Sequence, residues 1–450
     1  MKNSTALKKD MLSGSTNKGL FLFALPMIFG NLLQQFYNIA DSIIVGKFVN
    51  ADALGAVGSA YSLITFLTSV IIGLCMGSGA VFSFYRGKNE PKKLRSSMLC
   101  SFVLTGSVSV ILTLLMLIFL DPVLFLLKTP DKIFPYMRSY SFIVITGIIF
   151  VFLYNFYAYL LRSSGDSVTP LVFLGITAVL NVGLDLVSVL VFKMGLEGTA
   201  YATVFSQAVS GIGLMVYTHI KYKEMRFSIK DFIHSEKPFK EISSYSAASS
   251  LQQSVMNFGI LMIQGLVNSF GPSVMTAFAA AVKIDTFAYM PAQEFANAYS
   301  IFVSRNNGAG NKKRIKEGTK SALIASVLFC AAVSAAVVLL SPQLMTFFVD
   351  PSETEIIKIG VGYLHIEGAF YALIGILFLL YGYFRGLNRP LISLLLTIIS
   401  LGLRVLLANI FSSFPAFGVY GIWWSIPIGW LIADAAGFII MFFIKRRKNA

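Results

Sequence analysis

Long apolar runs separated by short polar stretches make up most of this chain. Twelve of these runs are long enough to cross about 30 Å of hydrocarbon as a helix. We number them runs 1 to 12, and each predicts one transmembrane helix. They span residues 20–46, 54–85, 97–120, 134–161, 170–192, 198–220, 243–268, 275–303, 320–348, 360–384, 390–411 and 418–444. The pattern predicts an all-α membrane protein with twelve transmembrane helices.

The second six runs repeat the first six. Leu33-Gln34-Gln35 in run 1 returns as Leu251-Gln252-Gln253 in run 7, and the Pro-Leu pair that opens run 5 returns at the start of run 11. Because each repeat has an even number of helices, both halves enter the membrane from the same side. We predict two six-helix bundles related by a pseudo-two-fold axis along the membrane normal. The predicted parts are an N-lobe at 1–220, a cytoplasmic linker at 221–241 and a C-lobe at 242–450.

Composition and charge agree with a chain that is solvated by lipid. It is 56% hydrophobic and 13% charged, whereas a soluble protein carries roughly a quarter charged residues. The net charge of +15 is compatible with nucleic-acid binding. However, 28 of the 36 Lys and Arg fall on one side of the predicted bilayer and six on the other. This bias predicts cytoplasmic termini, lipid headgroups as partners of the basic loops, and no nucleic-acid partner.

Run 1 carries a polar stripe that ends in a carboxylate. Asn31, Gln34, Asn38 and Asp41 recur every three or four residues, which places them on one face of a helix. A charge at the bilayer centre costs at least roughly 2.5–3.5 kcal/mol. In the second half, the position of Asp41 is held by Gly259. The acid is therefore present in the first half alone. Because a buried charge is unfavourable in a membrane, we expect Asp41 to have a charged partner or a function.

Runs 5 and 6 add a second polar group with the same ligand chemistry. Asn181 and Asp185 are four residues apart on run 5, and Thr203 lies on run 6. The position of Asp185 is held in the second half by Arg404. The oxygens of Asp41, Asn181, Asp185 and Thr203 suit Na⁺ or a bound proton and disfavour soft metals. We predict a cation site formed by these four residues, with H⁺ or Na⁺ as coupling ion and no cofactor.

Six stretches together resemble the MATE family, the multidrug and toxic compound extrusion transporters. They are LPMIFGNLLQQFYNIADSIIVGKF in run 1, GSGAVFSFYRGKNEPKKL after run 2, LRSSGDSVTPL before run 5, LNVGLD in run 5, GTAYATVFSQ in run 6 and SRNNGAGNKKR after run 8. The Asn-x-x-x-Asp pair in run 5 resembles one bacterial branch of the family. The resemblance implies two six-helix lobes around a central cleft, in a multi-pass protein of the bacterial inner membrane.

The resemblance also implies a function. Members export organic cations, often drugs, in exchange for Na⁺ or H⁺, and one chain supplies a complete transporter, so we expect a functional monomer. In the matching branch the cation site lies in the N-lobe, at the positions of Asp41, Asn181, Asp185 and Thr203. A first helix bent around Pro26 is implied to couple cation binding to drug release. The acid that some branches carry in the seventh helix is absent near Gln252 and Gln253.

Candidate drug contacts come from amide, aromatic, methionine and acidic side chains. Tyrosine rings can bind a flat cation through cation–π contacts, methionine adapts to varied shapes, and Glu294 and Glu367 are candidates for facing a cationic substrate. The residues predicted to contact the drug are Gln34, Tyr37, Asn38, Tyr140, Tyr154, Gln253, Met256, Met290, Glu294 and Glu367.

Other function classes fit the residues less well. A lipid-linked oligosaccharide flippase shares the general bundle architecture and is the alternative. It normally needs several basic groups for a pyrophosphate, and only Lys283 and Arg404 are predicted to lie within the membrane. An enzyme would need a nucleophile–base set or metal ligands, and His219, His234 and His365 have no ligand spacing. A passive channel would need a filter-like loop, which the pattern does not predict. We therefore expect no enzyme activity.

Overall fold

The computed structural model describes residues 11–127, 129–231 and 236–449, and helices are its regular elements throughout those ranges. The first ten residues of the predicted cytoplasmic N-terminus, Lys128, His234 and part of the predicted linker lie outside the described residues. The α-helices within the described ranges are α1 (Thr16–Phe48), α2 (Ala51–Gly87), α3 (Pro91–Ile118), α4 (Leu120–Leu126), α5 (Phe134–Thr146), α6 (Ile148–Ser163), α7 (Val168–Leu186), α8 (Gly195–Lys221), α9 (Glu236–Asn268), α10 (Pro272–Gly308), α11 (Lys312–Thr346), α12 (Thr354–Gly368), α13 (Tyr371–Gly386), α14 (Pro390–Ser412) and α15 (Gly418–Asn449).

Two of the predicted runs are bent rather than straight. Run 4 consists of α5 and α6, which meet at Gly147 with a bend of 42°, and run 10 consists of α12 and α13, with a bend of 51°. Run 5 ends in a short π-helix, Val187–Val191. Within the described residues, eight helices are long and apolar enough to cross a membrane, or ten when each bent pair forms one span. The remaining runs, 7 and 8, lie on α9 and α10, which are long but richer in polar residues.

Two helices end before the runs that predicted them. Run 3 was expected to continue to residue 120, but α3 ends at Ile118 and the separate short helix α4 follows. Run 9 was expected to continue to 348, but α11 ends at Thr346. Apolar residues continue past both ends, so hydropathy alone places these boundaries too late.

The chain divides into two compact units. The first contains Leu25–Ser250, and the second contains Gly14–Ala24 together with 251–449. Helices α1 and α9 therefore each contribute one part to each unit. The lobe boundaries at 220 and 242 that the sequence suggests stay a prediction.

Helix α7 shows how a helix of the first unit is arranged in lipid. Val172, Ile176 and Val179 recur along one face, and Val179 is 77% exposed. Asn181 and Asp185 occupy the opposite face and are buried. A soluble helix has the reverse arrangement, with its apolar face toward the core. The polar face of α7 therefore points into the unit, where it forms part of the candidate site.

Aromatic packing fixes the interior of each unit. In the first, the rings of Phe82, Phe102 and Phe156 make edge-on contacts, with centroid separations of 6.0 and 5.2 Å. In the second, Trp423 stacks on Phe278 at 5.4 Å and meets Tyr363 edge-on at 4.9 Å. Offset and edge-on arrangements are the favourable geometries for aromatic pairs. These clusters join α2, α3 and α6 in the first unit and α10, α12 and α15 in the second.

Candidate cation site in the first unit

Three helices of the first unit bring the predicted cation ligands together. Helix α1 carries Asp41, α7 carries Asn181 and Asp185, and α8 carries Thr203. Asp185 is 0% exposed, Asn181 is 1% exposed and Asp41 is 8% exposed. The Nδ2 of Asn181 donates to the Oγ1 of Thr203 at 3.3 Å, which joins α7 to α8. The four-residue spacing on α7 places both of its polar side chains on the buried face.

The two carboxylates of this cluster influence each other. Asp41 and Asp185 lie close enough to interact electrostatically. The hydroxyl of Tyr140 lies within electrostatic reach of both acids, and Tyr37 lies within reach of Asp41. Like charges in a low-dielectric interior repel strongly, since little solvent screens them. A bound cation or proton would relieve this repulsion.

Several oxygens of the cluster lack hydrogen-bond donors. Among the residues that the structure describes, both carboxylate oxygens of Asp185, the Oδ1 of Asp41 and the Oδ1 of Asn181 are shielded from solvent and accept no hydrogen bond. A buried polar atom without a partner costs about 1–3 kcal/mol, and more when it is charged. Carboxylate and amide oxygens of this kind are suitable ligands for a hard cation.

The predicted drug contacts of the first unit surround this cluster. Tyr140 is buried, Tyr37, Asn38 and Tyr154 are partly buried, and Gln34 is exposed. Tyr37 lies within interaction distance of Gln34 and Tyr154. The hydroxyl of Tyr154 donates to the carbonyl oxygen of Pro170 at 3.0 Å. The structure therefore places aromatic rings beside the acids, and their role in drug binding stays a prediction.

The remaining predicted contacts lie in the second unit. Gln253 and Met256 border a small recess, and Met290 is partly buried on α10. Glu294 accepts a hydrogen bond from the Nδ2 of Asn297 at 3.2 Å. Glu367 is 3% exposed.

Glu367 belongs to a buried ionic network. Its carboxyl interacts electrostatically with Asp285, Tyr363 and Arg404. The hydroxyl of Tyr371 donates to the Oδ1 of Asp285. Protein groups therefore surround the carboxyl of Glu367, whose contact with a substrate stays a prediction.

Three of the 28 basic residues that the charge bias places on the cytoplasmic side are buried. Arg385 was expected in the turn after run 10, but α13 continues to Gly386 and Arg385 is 3% exposed. Arg305 and Arg314 were expected in the loop after run 8 and are also buried. A count of Lys and Arg treats every residue at the end of a run as a loop residue. One feature of the sequence does indicate that Arg385 belongs to the helix. It directly follows the aromatic end of run 10, with no polar residue between them.

Comparison with known proteins agrees with the repeat and the fold. The sequence profile of the MatE family matches residues 26–187 and 247–410, one segment in each half. The chain is 31% identical over 431 residues to the Bacillus subtilis "Probable multidrug resistance protein YpnP", and the match covers 96% of each chain. It is 22% identical over 441 residues to the "FAD transporter" of Shewanella oneidensis, with 95% of each chain covered.

A solved structure supports the fold in the same way. It is described as the outward-facing conformation of a multidrug resistance MATE family transporter of the MOP superfamily. The TM-score is 0.91 at 23% sequence identity, and the match covers 98% of this chain and 99% of that one. The likeness confirms the predicted all-α fold of a multi-span membrane protein. Together with the profile match and the Bacillus relative, it shows that the chain belongs to the MatE family.

Proposed function

We propose that this protein exports organic cations and drugs in exchange for H⁺ or Na⁺, by alternating access. The observation that carries the proposal is Asp185, a fully buried carboxylate whose two oxygens accept no hydrogen bond from the described residues and which interacts with Asp41. Two such acids in a membrane interior need a cation, a proton or a cationic ligand to offset their cost. The multidrug name of the Bacillus relative supports drug export.

The proposed coupling uses the competition of two cations for one pair of acids. When H⁺ or Na⁺ reaches Asp41 and Asp185, their negative charge is neutralised and an organic cation is held less strongly. Reciprocally, a bound organic cation disfavours the coupling ion, because linkage acts equally in both directions. Tyr37 and Tyr140, beside the acids, can hold a flat cation by its face.

Helix α1 is the element that we propose to respond to the coupling ion. It carries Asp41 and, about four helical turns earlier, Pro26, and the helix is continuous through both. Proline has no N–H, so one hydrogen bond of the helix is missing one turn before Pro26. Bending there costs less than elsewhere in the helix. A change of charge at Asp41 can therefore repack α1 around Pro26.

The location and partners follow from the same proposal. We place the protein in the bacterial inner membrane as a monomer, with both termini in the cytoplasm and its basic loops against lipid headgroups. The Asn181–Asp185 pair supports our proposal that it belongs to the branch of the family with a cation site in the first half. The flippase alternative is not favoured by the relatives. In addition, Arg404 interacts with the carboxyl of Glu367 in the buried network of the second unit.

Two substitutions test the site directly. In proteoliposomes, Asp41→Asn and Asp185→Asn should each reduce cation-driven efflux of rhodamine 123 on the order of tenfold or more, because the amide cannot exchange a proton or balance Na⁺. The matched control is Glu197→Gln, an exposed acid on α8, which should keep wild-type efflux. Gel filtration and thermal unfolding would show whether each variant is folded.

Wild-type efflux in either folded aspartate variant would remove that residue from the proposed site. An equal loss in Glu197→Gln would show that the effect of the substitutions is not specific to the buried pair.

A further inference from the structure

The second unit contains a buried acid that the proposed function does not use. Asp434 lies in the middle of α15 and is 4% exposed. Both of its carboxylate oxygens are shielded from solvent and accept no hydrogen bond from the residues that the structure describes. A charge without hydrogen-bond donors is strongly unfavourable in a membrane interior. The carboxyl of Asp434 therefore needs a ligand that removes or balances its charge.

The polar groups beside Asp434 are hydroxyls of two neighbouring helices. Tyr381 of α13 interacts electrostatically with Asp434, and Thr397 of α14 lies within interaction distance of Tyr381. The Oγ1 of Thr397 donates to the carbonyl oxygen of Ser393 at 3.0 Å, so its proton is already used. Such a hydroxyl can accept a hydrogen bond but cannot donate one to a carboxylate. It suits a carboxylic acid better than its ionised form.

The charged side chains of the helices packed around α15 have partners of their own. Arg404 of α14 interacts electrostatically with Glu367 and Tyr363 of α12. Arg385 of α13 donates to side chains of α10. Among the described residues, neither arginine donates to an oxygen of Asp434. A basic side chain hydrogen-bonded to the carboxyl therefore does not compensate its charge.

The packing next to Asp434 favours a proton over a metal ion. One turn further along α15, a Cβ atom added to Gly437 would lie 2.7 Å from a methyl group of Leu380 and 3.2 Å from one of Leu396. Tightly packed leucine side chains thus border the acid. Hard divalent cations take about six oxygen ligands or more. A proton needs a single carboxylate oxygen and no space of its own.

A polar recess gives this proton a route. Tyr381 lines a recess of about 20 Å³ together with Gln252 and Gln253, which is room for about one water molecule. The same tyrosine interacts with Asp434. A water in the recess could therefore exchange a proton with the acid through the tyrosine hydroxyl.

The internal repeat shows that this acid is specific to the second half. Gly418-x-x-Gly421 opens α15 as Gly195-x-x-Gly198 opens α8, at an offset of 223 residues. The same offset places Gly211 at the position of Asp434. A Cβ atom at Gly211 would lie 2.7 Å from the carbonyl oxygen of Phe150, so the first half uses this position for close helix packing.

A purely structural acid would behave differently. Buried polar side chains in membrane helices often join two helices by a hydrogen bond. Asp434 makes no such bond with the described residues, so its carboxyl does not connect α15 to a neighbour. A structural acid of this kind would also keep one protonation state at every pH at which the protein stays folded.

We propose that Asp434 is a second proton-binding site of this protein, which holds a proton at neutral pH and exchanges it by way of Tyr381. The proposed function places the coupling ion in the first unit alone, and this inference adds a site in the second. It does not depend on drug export, because the proton is observed at equilibrium in the absence of a gradient.

Infrared spectroscopy of the purified full-length protein tests the proposal directly, because the carbonyl stretch of a protonated carboxyl is separate from the bands of ionised carboxylates. At neutral pH, the wild type minus Asp434→Asn difference spectrum should contain one protonated-carboxyl band. The band should disappear as the pH is raised. It should remain in the Asp41→Asn/Asp185→Asn double variant, so that failure of the first-unit site would not affect it.

Matched variants separate this band from general effects on the fold. Glu355→Gln replaces an exposed acid of α12, which is ionised at neutral pH, so it should leave the protonated-carboxyl region unchanged. Tyr381→Phe should shift the frequency of the Asp434 band without removing it. Tyr420→Phe, at a 45% exposed position of α15, should cause no shift. If Asp434→Asn does not fold, the comparison of the two tyrosine variants still decides.

Three results would overturn the proposal. The first is a protonated-carboxyl region that is the same in the wild type and in folded Asp434→Asn, or in the two tyrosine variants. The second is a band that persists at alkaline pH in the folded protein, which would mark a permanently neutral structural acid. The third is a band that is present in choline chloride and lost in NaCl, which would assign Asp434 to Na⁺.

Discussion

At the residue scale, the protein buries acids in two different ways. Asp285 accepts a hydrogen bond from Tyr371 and interacts electrostatically with Glu367. Asp185 has no such donors among the described residues. The first arrangement gives the Oδ1 of Asp285 a protein donor, whereas its Oδ2 accepts no hydrogen bond from the described residues. The second leaves oxygens that a transported ion can satisfy.

This contrast predicts the effect of removing the donor at Asp285. Tyr371→Phe keeps the buried ring and removes one hydroxyl, so it should lower the free energy of unfolding by about 1–3 kcal/mol. Thermal unfolding in detergent would measure the decrease. Tyr201→Phe is the matched control, because Tyr201 is 52% exposed and its hydroxyl reaches solvent or headgroups. Similar melting temperatures for both variants would contradict a structural role for the Tyr371–Asp285 bond.

Some of these residue positions could be predicted from the sequence, and others could not. The spacing of Asn181 and Asp185 predicted one shared face, and both lie on the buried face of α7. The contact between Asn181 and Thr203 depends on how α7 packs on α8. The periodicity of the sequence carries no information about that packing. Arg385 was misplaced because its partners, Asn297 and Ser300, lie almost ninety residues earlier in the chain.

At the element scale, the close packing of α9 on α2 is the sharpest constraint in the first unit. A Cβ atom added to Gly77 would lie 2.4 Å from the carbonyl oxygen of Tyr245, and one added to Gly73 would lie 2.5 Å from the Cα of Ser250. Small residues four apart allow two membrane helices to approach closely. A hydrogen bond between Ser78 and Ser246, at 2.9 Å, completes the contact.

This contact predicts that α2 tolerates no side chain at Gly77. Gly77→Ala should destabilise the protein by about 1–3 kcal/mol, because the backbone of α9 would have to move. The control is Gly58→Ala on the same helix, where a Cβ meets nothing within 4 Å. Thermal unfolding should separate the two variants. An unchanged melting temperature for Gly77→Ala would contradict the close packing.

The positions of the helices followed from hydropathy, and their bends did not. All twelve runs fall on helices or on bent pairs, because apolar length in lipid depends on composition alone. The bend at Gly147 depends on its neighbours, since a Cβ there would lie 3.0 Å from the side chains of Gln207 and Val204 on α8. Such crowding arises from tertiary packing, and it produces no periodic pattern in the sequence.

At the scale of the whole molecule, the internal repeat is the feature that the sequence predicts most clearly. The MatE profile matches one segment in each half, which agrees with the six-plus-six pattern. The halves have nevertheless diverged in their polar interiors. Where the first half has Asp41, the second has Gly259, and a Cβ there would lie 3.0 Å from a methyl group of Leu401. The halves therefore match one family profile and differ in their buried polar side chains.

The central claim, that a cation gradient drives export, is tested most directly by efflux from proteoliposomes. The wild-type protein would be loaded with rhodamine 123, and a Na⁺ gradient and a pH gradient would be imposed separately, each with an ionophore that collapses it as control. We expect efflux under at least one gradient and its loss when that gradient is collapsed. Efflux that is the same with and without both gradients, or no efflux under either, would contradict cation-coupled export.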